Sequence, residues 1–373
     1  MRSSLTLPSF VIATSLSNVH KIWAWGALSI ASLTLLSCQD EISSPNGPED
    51  PPPGAIEAAV TIEDEPAADV MLELYRRNVT DPLATVTTDS LGSARFDDLD
   101  AGAYDVLIVV PSGFELAQNG AARKSVGVSK DQTVELTFTL FVKVPATDID
   151  GNTYETVRIL DRIWTAENLR VGHFRNGDPI PEATENDQWA RAWGEKAPAW
   201  AHFDNDASFG SAYGKLYNNY AVVDSRGLCP EGWSVPTDSQ WKDLERFIGI
   251  EAAEVDEIGY RGRNSGRLKS TRTEPDAHPR WLKPNTGADN QTGFSALPNG
   301  FRVGDAVNNR YQESEFYRMG AEASFWTSTT TTQGADSAPS ALRNWARGLD
   351  TSTEEIFRDV AEGYGFSVRC IKD

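Results

Sequence analysis

Cysteine and histidine are scarce in this chain. Its 373 residues hold three cysteines, at positions 38, 229 and 370, and four histidines. No two cysteines have zinc-site spacing and no His-Glu-x-x-His occurs, which excludes zinc centres of those kinds. A Gly-rich phosphate loop after a strand is missing, and so is a Gly-x-Ser-x-Gly elbow. No catalytic residue, metal ligand or cofactor is therefore expected from motifs, although a Ser–His–Asp set assembled in space is invisible to spacing. Basic residues are outnumbered, with 34 Lys plus Arg against 54 Asp plus Glu and a formal net charge of -20. Such a field repels nucleic acid and anionic surfaces, so nucleic acid is not expected as a partner.

Long apolar runs are confined to one place. Ile22 to Leu36 is uncharged, follows Lys21 and is short for a spanning helix, but it has the length of a signal-peptide apolar region. It ends in Leu35-Leu36-Ser37-Cys38, which resembles a bacterial lipobox. The resemblance implies a signal peptide over residues 1–37 and a lipidated Cys38, with attached acyl chains such as palmitate as the contact with the membrane. More than one chain gives a stable anchor. The implied address is the outer membrane. Gln39-Asp40-Glu41 resembles surface-export signals of Gram-negative lipoproteins and implies the cell surface, the periplasmic face being the alternative. Residues 38–54 include Ser43 to Gly54, a Pro-rich stretch without apolar periodicity, and read as a semi-rigid tether.

What the chain does contain falls into two further blocks. Over residues 55–143, Val70, Leu72 and Leu74 alternate with Met71, Glu73 and Tyr75, and Val134, Leu136, Phe138 and Leu140 alternate with threonines and Glu135. Period two with turn signals at Asp89 to Gly92 and Asp100 to Gly102 predicts a β-sandwich. The series Thr88-Asp89, Gly92, Phe96, Leu99, Gly102 and Tyr104 resembles the prealbumin-like domains of the carboxypeptidase regulatory-like and Cna-B types, which implies a spacer. No lysine lies between Lys21 and Lys124, so the first-strand donor of an internal isopeptide bond is missing.

The block 146–373 centres on Gly227 to Trp241. Pro230 and Pro236 fix φ, Thr237 is a candidate N-cap with Gln240 three residues on, and Trp241, Leu244, Phe247 and Ile248 form one apolar face before Gly249. Asp148 to Asn152 lacks the ligand spacing of a calcium loop and reads as a β-turn. In order, Asp150 to Tyr154, Trp164 to Leu169, Tyr213 to Val222, Gly227 to Trp241, Gly293 to Arg302, Phe325 to Thr329 and Gly365 to Cys370 resemble the Fibrobacter succinogenes major paralogous domain. That resemblance implies an irregular α+β domain of the C-type-lectin-like and formylglycine-generating-enzyme fold group. The whole is then multidomain: an all-β prealbumin-like sandwich followed by the α+β C-type-lectin-like domain.

Loop-dominated domains of that group need a staple, and Cys229 with Cys370 are the candidates, closing a loop worth about 4–5 kcal/mol. The implied function is a non-catalytic binding or display module on the envelope, with a glycan or a surface protein as ligand. The alternative is an oxidase of the formylglycine-generating type or an unrecognised hydrolase. Lys283-Pro284-Asn285 has lysine where calcium-dependent lectins place a carboxylate, so a calcium-free surface is expected instead. Its candidate residues are Trp281, Asp289, Asn290, Arg302, Arg343 and Trp345, with Trp326 assigned to the core. Residues 172–212 and 303–347 are expected to be long surface loops.

Overall fold

The computed structural model describes residues 51–117, 121–304, 315–332 and 342–373. The signal-peptide, lipidation and export calls over residues 1–41, Cys38 included, lie outside the described residues.

Residues 54–142 form two facing sheets. In one, Gly54–Ile62 runs parallel to Thr133–Val142 and antiparallel to Ser93–Leu99. In the other the order is Ala84–Thr87, Met71–Arg76, Gly102–Ile108, Arg123–Val128. The period-two residues supply the core between them: Ile56, Leu72, Leu74, Val106 and Leu140 are fully buried. Each such side chain contributes about 1.5–3 kcal/mol on leaving water.

The motif residues have local jobs. Thr88 accepts from the Val70 amide at 3.0 Å and donates to the Ala67 carbonyl, and Asp89 accepts from the amides of Leu91 and Ser93. Gly92 has φ +72°, and a Cβ there would meet the Val60 carbonyl oxygen at 2.4 Å, so only glycine closes this turn. Tyr104 is buried and its hydroxyl donates to the Asp100 carbonyl at 3.0 Å.

The sandwich meets the next domain through a small clamp. Arg158 stacks on Phe141 at 4.4 Å and pairs with Glu115 at 3.7 Å, and Thr156 donates to the Val144 carbonyl at 2.8 Å. Asp148 is spent on its own turn, accepting from the amides of Asp150 and Asn152 and from the Tyr154 hydroxyl.

The C-terminal domain is closed on itself. Its sheet runs in the order Thr156–Ile159, Arg162–Thr165, Ile371–Lys372, Trp233–Ser234, so the last strand lies between the domain's beginning and its middle. Cys229 and Cys370 form a disulfide beside that strand, Cα to Cα 5.9 Å, within an apolar cluster that includes Trp233, Trp326 and Val368. The expected helix is Asp238–Phe247, with the Thr237 side chain accepting from the Gln240 amide and Gln240 answering to the Thr237 amide. Trp241, Leu244 and Ile248 are buried, and Trp241 sits 5.5 Å from each of Trp164, Phe294 and Phe325.

Two expectations about loops need correction. Residues 172–212 hold the helices Asn186–Gly194 and Ala207–Tyr213, and residues 303–347 hold the strands Glu315–Tyr317 and Glu322–Thr331 and the start of Arg343–Asp350. The last strand is buried at every position. Buried throughout, it carries no alternation of exposed and buried residues to read.

Candidate functional site

A second four-stranded sheet, in the order Gly259–Arg261, Ile356–Ala361, Arg343–Asp350, Glu322–Thr331, sets the site. Because alternate residues face opposite ways, each strand serves two surfaces. On the inner face, Arg347 and Arg358 reach the capped helix. Arg347 pairs with Glu245 and Asp238, Arg358 grips Asp238 at 2.9 and 3.0 Å, and Arg261 pairs with Glu245 at 2.6 Å. Burial alone would raise the Asp238 carboxyl. The hydrogen bonds and charges of Arg358, Arg347 and Lys242 outweigh it and hold the group well below the usual carboxylate range.

The outer face is different. The row Ser324, Gly348, Phe357, Tyr260 crosses all four strands, and Trp326, Ala346 and Asp359 follow in the next row of that face. Small residues on the central strand leave a trough. A Cβ at Gly348 would lie 3.3 Å from the Phe357 Cβ and 3.5 Å from a Glu322 oxygen, filling it. The cavity holds about 300 Å³, at the small end of ligand pockets. Tyr260 and Phe357, 5.0 Å apart, line one side; Tyr364 and Phe366, 5.2 Å apart and 25° from parallel, line the other with Phe301. Trp326 supports Phe366 from below at 4.6 Å and donates to the Tyr217 carbonyl.

Two carboxylates complete the trough. Glu322 accepts from the Ser324 hydroxyl at 2.7 Å and pairs with Arg318 at 3.2 Å. Burial pushes its carboxyl up, with Ser324 and Arg318 pulling the other way. Asp359 takes the Val360 amide at 2.7 Å, and among the described residues no lysine or arginine pairs with it. Burial, then Asp359 and Glu322, push the Tyr364 phenol up, so it remains a donor at neutral pH. Among the described residues the face therefore offers flat rings, hydroxyls and carboxylate acceptors, and no cation beyond Arg318, which Glu322 and Asp350 hold; the Arg347 guanidinium lies on the other side.

The model of the Fibrobacter succinogenes major domain matches residues 157–372. The chain belongs to that family. In this family member the trough lies wholly within the matched span. No curated protein matches the chain. Among solved structures, a minor pilin of Streptococcus agalactiae is 24% identical with a TM-score of 0.23, covering 26% of this chain and 48% of the pilin. The major pilin subunit of Bacillus cereus is 17% identical with a TM-score of 0.22, covering 30% and 35%. The chain thus spans less than half of either pilin, and overlaps of this size carry no functional argument.

The residues singled out in the sequence are scattered by the family fold. Trp281 is not on the surface: it is fully buried and donates to the Ala296 carbonyl at 2.9 Å. Trp345 is also buried, 8% exposed, and lies on the inner face with the Arg358 guanidinium 3.5 Å from its ring. Arg302 is fully buried between Trp189 and Phe316 and donates to the Ala183 carbonyl at 2.6 Å. Arg343 is largely buried and pairs with Glu362 at 2.9 Å. These four fail as surface residues because each has a partner inside, a carbonyl for Trp281 and Arg302, a carboxylate for Arg343 and a guanidinium for Trp345. Asp289 is exposed and Asn290 half-buried, and both shape their own turn by accepting from the amides of Gln291 and Ser295.

Trp326 is core, as expected. The trough residues Tyr260, Phe357, Asp359 and Glu322 were not singled out, and the one local hint is the alternation Phe357, Asp359, Ala361. Cys229 and Cys370 are buried and bonded to each other, so they offer no accessible thiol pair for oxidase chemistry. The three described histidines are separately employed, His173 with Asp150, His278 with Tyr213 and His202 against Trp200. Among the described residues no group of three or more His, Cys, Asp or Glu is arranged to hold a metal, and no helix is long and apolar enough to cross a membrane, which says nothing of a barrel.

Proposed function

We propose that this protein is a lipid-anchored envelope module that binds glycans without turning them over, held by Cys38 and presented by the sandwich as a spacer on the outer membrane, facing outward. The observation carrying the binding reading is the trough: stacked rings beside carboxylate acceptors, over a floor kept open by Gly348 and Ala346. A pyranose ring lays its apolar face on aromatic rings and donates its hydroxyls to carboxylates. The central floor strand, Arg343–Asp350, is hydrogen-bonded to a strand on each side, so its main-chain groups are not open to an extended peptide.

A glycan array probed with the full chain and with Tyr364→Ala tests this. Saturable binding that the variant loses is expected. Equal binding by both proteins, or none by either, would sink the reading. Protease treatment of intact cells tests the placement, with cleavage expected and full protection pointing to the periplasmic face.

A further inference from the structure

The charges of the trough narrow its ligand. Its two carboxylates approach from neighbouring sides of one floor, since Glu322 and Ser324 lie on the strand left of Gly348 and Asp359 on the strand to its right. Glu322 is only partly neutralised, because Arg318, its cation, also pairs with Asp350. Asp359 has no cation among the described residues. The rings of Tyr260, Phe357 and Tyr364 present negative faces beside these groups, and a cation over such a face is attracted to it. The whole chain adds a formal charge of -20. An acidic sugar meets repulsion from each of these sources, a neutral sugar meets two carboxylates that only its hydroxyls satisfy, and an ammonium is attracted by each of them.

We infer that the trough recognises a saccharide unit carrying a free, protonated amine, seated on the Tyr364–Phe366 platform with its ammonium drawn to Asp359 and the field of Glu322 adding to the attraction. This rests on the glycan reading above and adds the charge of the ligand to it. The shared demand for an aromatic face and an ammonium also describes a lysine side chain. The near-parallel rings of Tyr364 and Phe366 favour the sugar, whose ring has an apolar face to lay on them.

The test is a titration of the full chain with three tetrasaccharides at about pH 6, below the usual range of such amines: glucosamine, N-acetylglucosamine and galacturonate. The amine-bearing tetramer is expected to bind about tenfold more tightly than the acetylated one at low salt, and this ratio should shrink as salt screens it. The galacturonate tetramer is expected not to bind. Asp359→Asn and Glu322→Gln are expected to bring the ratio toward one, with an unchanged tryptophan emission spectrum showing that each variant is folded. Equal affinity for the amine and acetylated tetramers overturns the inference and leaves the glycan reading standing. Tightest binding of galacturonate overturns it as well, and binding of none of the three removes the reading and the inference together.

Discussion

The disulfide gives the sharpest test of how the C-terminal domain is held. Cys229 and Cys370 are 141 residues apart, and bridging a loop of that length removes unfolded-state entropy worth about 5 kcal/mol at 25 °C. Replacing both by alanine releases that constraint and leaves two small gaps in a cluster containing Trp233 and Trp326. A domain of this size has a urea slope of about 2–3 kcal/mol per molar, so the midpoint should fall by about 2 M. Tryptophan separates the two halves of the molecule: residues 51–143 contain none, whereas Trp164, Trp241, Trp281 and Trp326 lie in the C-terminal core. In a chain lacking residues 1–37, and with them Trp23 and Trp25, fluorescence therefore follows the C-terminal domain alone, and far-UV circular dichroism adds the sandwich. The expected result is an early fluorescence transition with the sandwich transition in place. A fluorescence shift below about 0.5 M, or an equal shift of both transitions, would refute the closing role assigned to the bond.

Glu245 is fully buried between Arg261 and Arg347, so Glu245→Gln should cost about 3–5 kcal/mol by the same fluorescence midpoint. Asp238 has a folded-state pKa below its unfolded value. Its contribution is fully present above the ordinary carboxylate pKa of about 3.9 and is lost as pH falls through and below it. Asp238→Asn should flatten that acid limb in a pH series of midpoints. Glu322 has the opposite sign, a raised folded pKa, so its contribution weakens as pH rises above the usual glutamate range. Glu322→Gln should hold or raise the midpoint at neutral pH, and a clear fall would contradict its placement. Arg158→Ala removes the clamp to Glu115 and Phe141 and should speed tryptic cleavage after Lys143, followed by gel.

Local signals survived into the structure where the physics is local. The Thr237 and Gln240 cap needs only three intervening bonds of sequence, and the strands around Leu72 and Phe138 need only their own alternation. The Thr88 to Tyr104 series works because each residue serves a turn or core position within a short stretch. The binding residues failed for a related reason. Trp281 is followed by exposed Leu282, Lys283 and Pro284, so its neighbours suggest a surface although its own ring is enclosed. Arg302 and Arg343 look like solvent-facing cations until the carbonyl and carboxylate that receive them are known. The trough joins Tyr260, Glu322, Gly348 and Phe357 through strand register, which no single stretch encodes.

That register links the capped helix to the site. Along Ile356–Ala361, Arg358 points to the helix and Asp359 to the trough. A slip by one residue would exchange the two faces, as in any strand. It would carry Asp359 into the company of Asp238 and Glu245 and strand Arg358 among aromatic rings in the trough. Both halves of the exchange are costly, since one places like charges together out of water and the other leaves Asp238 without its two-point partner. The same holds for the neighbouring strand, where Arg347 points inward to Glu245 and Gly348 outward to the trough floor. The buried ion network thus fixes which side chains reach the trough, without touching it. The Thr237 cap, the helix and the Cys229–Cys370 bond that closes the domain around them determine the chemistry of a site on the opposite side of the sheet.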